Sequence, residues 1–266
     1  MRVGIVGAGP AGVTAAVFLS RYGVEVTVFE KEEVGGLIVN AWRIENLPVL
    51  SPCSGEDLVK VLKERLEESG SRLIHEEVLS VHERSVRTVS ATYDFDGIIV
   101  ATGTKPKRIE EFEVNQNVVY EFKRLPRGIK SLAIYGAGDV AFDGALKAKH
   151  VGISEVHIFS RSDRMKAVPR LVQLASDLGV RCHQAEPIRA VEGFGGRVKL
   201  FTDVGSYDFD ALLICIGRVP NVPVITKPSQ RVHVVGDASG SFRQLAIAMG
   251  QAVDACMKIL QGGWCS

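Results

Sequence analysis

Two glycine-rich turns of one design punctuate this chain, one at its start and one near its middle. The first is VGIVGAGPAGVTAA (residues 3–16), with Gly7, Gly9 and Gly12 in G-x-G-x-x-G order and Pro10 and Ala11 before the last glycine. The second is LAIYGAGDVAFDGA (132–145), with Gly136, Gly138 and Ala141 in G-x-G-x-x-A order and Asp139 and Val140 before the alanine. Each follows a short apolar run and precedes an apolar-periodic stretch, the strand–turn–helix context that the pattern requires. The first glycine permits the tight turn, the second lets backbone approach a pyrophosphate, and the third small residue lets helix and strand pack closely. Unpaired N–H groups and the positive end of the helix dipole then bind phosphate. Such a chain is expected to hold two nucleotides and to pass electrons between them.

The residues that follow each turn differ. After the first, VEVTVFE (24–30) ends at Glu30, followed by Lys31. That is about twenty residues on, where an acid meets a ribose hydroxyl. After the second, EVHIF (155–159) runs into SRSDRMK (160–166), which places Ser160, Arg161 and Ser162 where the acid would stand. A carboxylate there repels a 2′-phosphate and an arginine grips it. NADPH is therefore expected over NADH at the second turn, the alternative being a solvated basic turn.

Composition narrows the class. With 266 residues the chain can bury two cores, and 46% hydrophobic with 24% charged residues is ordinary for a globular protein. A formal net charge of +1 supplies no field for nucleic acid or an acidic membrane, so neither partner is expected. Residues 1–20 imitate a signal peptide, but the spaced glycines and Pro10 favour the folded turn, and no apolar run is long enough to span a bilayer. A cytoplasmic location is expected. The five cysteines (Cys53, Cys182, Cys215, Cys256, Cys265) show no C-x-x-C spacing, so neither a disulfide framework nor a metal site is expected. Cys182, Cys215 and Cys256 lie in apolar stretches and are read as packing residues. His75, His82, His150, His157, His183 and His233 are scattered in sequence and are read as isolated.

The fold class read from this pattern is α/β, with two Rossmann-like three-layer domains. A helix is expected over 54–69, capped by Ser54 and presenting Leu58, Val61, Leu62 and Leu66 on one face. Residues 104–108 read as a linker. The strand at 232–237 and a last helix over 244–260 rejoin the first domain, so the second is an insertion. The expected boundaries are 1–106, 107–230 and 231–266.

Further landmarks are Gly35-Gly36, IENLP (44–48), ATG (101–103), IGRVPN (216–221), Gly236-Asp237 and Arg243-Gln244. In this order the chain resembles the two-dinucleotide-binding flavoproteins, in particular their thioredoxin-reductase-like branch. The resemblance implies FAD at the first turn and NAD(P)H in the inserted domain, within a homodimer. It implies that Glu30 and Lys31 bind the adenosine side, and that Gly36, Leu37 and Asn46 approach the flavin. Val78, Ala101, Thr102, Gly103, Gly236, Asp237, Arg243, Gln244 and Leu245 complete the FAD site. Ile216, Gly217 and Arg218 join the nucleotide site. Residues 156–180 are also similar to the NADPH-binding part of glutamate-synthase-type small subunits.

Three features depart from that branch. NVVYEFKRL (117–125) holds no cysteine where the branch carries C-x-x-C, and LIVNAW (37–42) holds none where the glutathione-reductase branch carries its pair. The C-terminal catalytic histidine motif is missing. Only residues 222–231 separate IGRVPN from the strand-like run VHVVGD (232–237) that carries Gly236-Asp237, a trimmed stretch that would expose the flavin edge or a partner surface. The expected activity is NAD(P)H oxidation through FAD to a non-disulfide acceptor, either a small molecule or a redox protein. Alternatives are a single-thiol or persulfide reductase acting through Cys53, next to a helix start, and a non-catalytic redox sensor or electron-input subunit.

Overall fold

The computed structural model describes residues 1–227 and 229–264 and divides into two compact units. Cys265 lies outside the described residues.

The first unit comprises residues 1–39, 45–105 and 219–266. Its sheet runs Val232–Val234, Gly97–Val100, Arg2–Val6, Glu25–Phe29, Arg72–Ile74, each parallel to its neighbour. Four of the five residues of Arg2–Val6 and of Glu25–Phe29 are buried, as expected of strands covered on both faces. One cover is helical. Helix α1 (Pro10–Ser20) lies against the C-terminal helix Leu245–Trp264, with Ala15, Ala16, Ala252 and Ala255 buried and the Cys256 thiol 3.8 Å from the Ala15 carbonyl. The other cover is a meander of Val78–Val81, Ser85–Thr88 and Thr92–Asp94, whose Val81, Val86 and adjoining Phe95 cluster with Val6, Phe29, Ile98 and Val100. The result is helices, parallel sheet and meander in three layers. Helix α2 (Gly55–Glu68) begins where expected: the Ser54 hydroxyl accepts from the Asp57 N–H at 3.1 Å. Leu58, Leu62 and Leu66 are buried, while Val61 is 45% exposed and so lies off the packed face.

The second unit comprises residues 40–44 and 106–218. Its parallel sheet runs Arg181–His183, Glu155–Phe159, Ser131–Tyr135, Ala211–Ile214, Val118–Val119. Helices α3 (Asp139–His150) and α4 (Pro169–Asp177) pack on one face. The meander Ala190–Phe194, Arg197–Phe201, Ser206–Phe209 packs on the other through Val198, Leu200 and Phe209.

Several boundaries differ from those read in the sequence. The second unit closes at Arg218 rather than 230, because Val224–Ile225 pairs with Ser80–Val81 in the first unit's meander. It also takes Asn40–Ile44, because Trp42 packs into its core. Residues 104–106 form a short strand, and the last helix continues past 260. Cys182 is exposed, since Arg181–His183 is the edge strand of its sheet; Cys256 is buried as expected and Cys215 partly so.

Candidate functional site

In the first unit the chain leaves the central strand Arg2–Val6 toward one neighbour by α1 and reaches the other neighbour later. The turn after Val6 is therefore the switch point, where open α/β sheets bind ligands. Gly7 has φ +100°, and a Cβ on it would meet the Ala101 carbonyl oxygen at 2.5 Å. A Cβ on Gly12 would lie 1.8 Å from the Gly7 oxygen, so α1 packs on the turn only without one. Gly9 has nothing within 4 Å of its Cβ position. Helix α1 starts behind it with Pro10, no side-chain cap and no acid in its first turn. Its first N–H groups and dipole thus face open space.

Other predicted residues gather at the same strand ends. Glu30 sits just past Phe29, its carboxylate accepting from the Ala8 N–H at 2.8 Å and the Glu32 N–H at 2.9 Å. Gly35 donates to the Ala8 carbonyl at 2.8 Å, and Gly36 has a Cβ position 3.4 Å from the Gly9 Cα. Thr102 follows Ala101 beside Gly7, and its hydroxyl oxygen is buried without a partner. Gly236, at φ +64°, has its Cβ position 3.2 Å from the Ala11 methyl, and Asp237 follows it in a 3-10 turn. Asn46 donates to the Gln244 side-chain oxygen at 2.9 Å, joining two segments far apart in sequence. Gly103, at φ +65°, accepts from the Asn221 N–H, and Leu37 lies in the 3-10 turn Gly36–Asn40. Lys31 pairs with Glu77 at 3.0 Å, next to Val78, while Arg243 and Gln244 are exposed just before Leu245.

The second unit repeats the bed. A Cβ on Gly136 would meet the Cys215 carbonyl oxygen at 2.4 Å, Gly138 has open space before it, and α3 starts without a side-chain cap. Ala141 is fully buried and Val140 is 62% exposed. Asp139 accepts from the Val168 N–H at 2.8 Å, and Lys166 donates its N–H to the Ala137 carbonyl at 2.8 Å. The basic segment is thereby pinned beside the turn, with Arg161, Arg164 and Lys166 exposed. Ser160 departs from its expected role: it is 2% exposed, and its hydroxyl is spent on Ser162, donating to the carbonyl at 3.0 Å and accepting from the N–H at 3.1 Å. Ser162 in turn accepts from the Arg164 N–H at 3.1 Å. Arg218 is engaged as well, 2.6 Å from Glu121, while Ile216 and Gly217 lie in the bend between the strands Ala211–Ile214 and Arg218–Pro220.

Two groups were missed in the sequence. Asp143 lies one turn beyond Asp139 on α3 and accepts from the Trp42 N–H at 2.8 Å, securing the segment Asn40–Ile44. Asn40 donates to Glu121 at 2.8 Å, and Lys147 sits 5.2 Å from the Phe122 ring centre. An acid one helical turn after Asp139 on a largely buried helix was the available signal. Burial pushes the Asp143 carboxyl up to about 6, against the opposing pull of the Trp42 and Arg43 backbone N–H groups. A carboxyl raised in the folded state favours folding fully below its ordinary 3.8, and that contribution is lost as pH rises through about 6. Urea unfolding of Asp143→Asn should therefore lack the part of the pH 4–7 slope carried by this group. It should gain about 2 kcal/mol over the parent at pH 7 relative to pH 4. An unchanged difference between the two proteins across that range would show that Asp143 is ordinarily ionised.

The second group corrects the reading of isolated histidines. His157 and His183 stack with ring centres 5.1 Å apart and facing nitrogens at 3.1 Å, and His183 contacts Glu186 at 2.8 Å. They sit on adjacent parallel strands, a neighbourhood set by topology rather than spacing. Among the described residues there is no His, Cys, Asp and Glu grouping that could hold a metal ion, and no helix long and apolar enough to cross a membrane.

Residues 1–236 match the family model for pyridine nucleotide-disulphide oxidoreductases. A Clostridium pasteurianum 34.2 kDa protein in the rubredoxin operon is 31% identical over 153 residues, 53% of this chain and 50% of that protein. The thioredoxin reductase of Ureaplasma parvum is 27% identical over 82% of this chain and 75% of its own length. The ferredoxin–NADP reductase of Lactococcus lactis is 26% identical over 94% of this chain and 91% of its own length. The fold is shared with the solved thioredoxin reductase of Lactococcus lactis, at a TM-score of 0.85, 23% identity and coverage of 98% and 99% of the two chains.

Proposed function

This chain belongs to the pyridine nucleotide-disulphide oxidoreductase family and is an NAD(P)H-dependent flavoprotein oxidoreductase, and we propose that its electrons leave to an acceptor other than a disulfide. Family membership implies FAD and NAD(P)H as cofactors. The residues present fit two dinucleotides: Gly9 and Gly138 leave open space before uncapped helix starts, and the Thr102 hydroxyl is a buried group in want of a partner. FAD would be held by the first bed, with Gly7, Gly9, Pro10, Ala11, Gly12 and Glu30 at its adenosine and pyrophosphate side. NADPH, preferred over NADH, would be held by Gly138, Asp139, Val140 and Ala141 with Arg161 and Ser162.

FAD supplies the capacity to take two electrons from a nicotinamide and release them to a second molecule. The chain's own residues bind and orient. Backbone N–H groups at the starts of α1 and α3 neutralise phosphate charge, and Glu30 holds the Ala8 amide in place. The Glu30 carboxylate retains acceptor capacity for a ribose hydroxyl. No side chain is assigned a proton-transfer role.

The observation that carries the acceptor proposal is the state of the thiols. All four cysteines among the described residues are free, and the sequence has no C-x-x-C. Burial pushes the Cys215 and Cys256 thiols up to about 12, where they are neither nucleophiles nor electron relays. The ferredoxin–NADP reductase relative, matched over nearly its whole length, supports a ferredoxin-type iron–sulfur protein as the acceptor class; a homodimer is part of the same proposed reading.

With NADPH as donor, turnover is expected with ferredoxin or a soluble quinone and not with thioredoxin or an aromatic disulfide. Cys53→Ser should retain all of that activity within about twofold. Thiol-dependent reduction that disappears in Cys53→Ser would refute the proposal in favour of a single-cysteine reductase. Arg161→Ala should raise the KM for NADPH about tenfold and leave that for NADH unchanged, by loss of one charge-assisted contact. An unaltered ratio of the two would remove Arg161 from the nucleotide site.

A further inference from the structure

We propose that Glu186 is a positioning residue for the nucleotide turn, holding Ser160–Arg161–Ser162 in the shape that separates a 2′-phosphate from a 2′-hydroxyl. The inference rests on the reading of the second unit as the NAD(P)H site.

The strands Glu155–Phe159 and Arg181–His183 are parallel neighbours that end in register, Phe159 opposite His183. The turns leaving them are stitched together through backbone. Ser160 donates its N–H to the His183 carbonyl at 2.9 Å, Ala185 to the Ser162 carbonyl at 3.0 Å, and Glu186 to the Ser160 carbonyl at 2.8 Å. Ala185 is held at φ +51°, alone in the left-handed region among the described non-glycine residues. A side chain in that region persists only where its surroundings enforce it, and such sites concentrate where geometry serves function.

Glu186 does the enforcing. It is 7% exposed and its carboxylate accepts from three sides: His183 Nδ1 at 2.8 Å, the Thr202 hydroxyl at 2.7 Å and the Tyr207 hydroxyl at 2.8 Å. Burial alone would push its carboxyl up, but these three bonds outweigh it and hold it below the ordinary range. His183 is fixed in turn by stacking on Phe159, ring centres 4.3 Å apart, and by His157. Three strands or their ends thus converge on one buried carboxylate, and the backbone N–H of the same residue ties it to the turn that presents Arg161. An apolar side chain would fill this space with less desolvation, so the network's return lies in the geometry that it dictates. Glu186 is set behind the turn and acts through it, not by touching the nucleotide.

The test uses the full-length flavin-loaded protein and two adenosine fragments, 2′,5′-ADP and 5′-AMP, in calorimetric titrations. The parent should bind 2′,5′-ADP more tightly. Glu186→Gln should lose about tenfold for 2′,5′-ADP and under about twofold for 5′-AMP, the scale of one charge-assisted bond. Flavin reduction at saturating NADPH should keep its rate. A merely structural role predicts equal losses for both fragments, or none, and either result overturns the proposal. Should Glu186→Gln not fold, Tyr207→Phe, which removes one of the three bonds, must show the same selective loss at about threefold; unchanged binding overturns it. Equal binding of the two fragments by the parent would also overturn it while leaving the NAD(P)H reading intact. Failure of the parent to bind either fragment would overturn that reading itself.

Discussion

Gly12→Val is expected to yield colourless protein. The Cβ position at Gly12 is 1.8 Å from the Gly7 oxygen and 3.0 Å from the Gly7 carbonyl carbon, both of them backbone atoms. No rotamer change relieves a clash with backbone, so α1 must lift from the strand end and carry its N–H groups with it. Overpacking of this kind costs about 1–3 kcal/mol of stability, and the larger effect falls on phosphate binding. Flavin affinity should fall by at least about 100-fold, since the bed works only when its N–H groups converge. The measurement is flavin released per polypeptide after heat denaturation, together with the melting temperature. Stoichiometric FAD in Gly12→Val would mean that the cofactor is held elsewhere.

Gly138→Asp should do the converse in the second unit, uncoupling nucleotide oxidation from a flavin that stays bound. The Cβ position at Gly138 has nothing within 4 Å, and the residue's φ of −99° is open to any side chain. Aspartate is moreover a favoured N-cap, so the variant should fold at least as well as the parent. The same carboxylate confronts incoming phosphates at the helix start. NADPH-driven bleaching of the flavin should slow by about 100-fold at subsaturating nucleotide, equivalent to about 2.7 kcal/mol of repulsion at a partly screened site. Dithionite should bleach parent and variant alike. Equal rates with NADPH would place the nucleotide away from α3.

Much of this was legible in the sequence because it depends on residues close together in the chain. Glycine spacing, the apolar run before each turn and the Ser54 cap are local facts, and the structure places them as local physics requires. What escaped depends on topology. His157, His183, Glu186, Thr202 and Tyr207 come from separate strands and loops: the register Phe159 to His183 sets the two histidines side by side, and Thr202 and Tyr207 reach Glu186 from the meander. Cys182 reads as buried from its apolar neighbours, but an edge strand lacks a partner on one side. Asn40–Ile44 lies between stretches of the first unit in sequence, yet Asp143, Glu121 and the core around Trp42 claim it for the second. Ser160 has the right residue type for a phosphate ligand, but its hydroxyl is consumed within its own turn.

In the proposed function two amide-lined beds, one per unit, each seat a different dinucleotide, and electrons cross from nicotinamide to flavin. Its most direct test is the visible spectrum of the purified protein, recorded anaerobically before and after one equivalent of NADPH and then of NADH. The expected result is a flavin spectrum that NADPH bleaches completely and faster than NADH does. A protein that binds no flavin when supplied with FAD, or one whose yellow colour survives excess of both nucleotides, would contradict it.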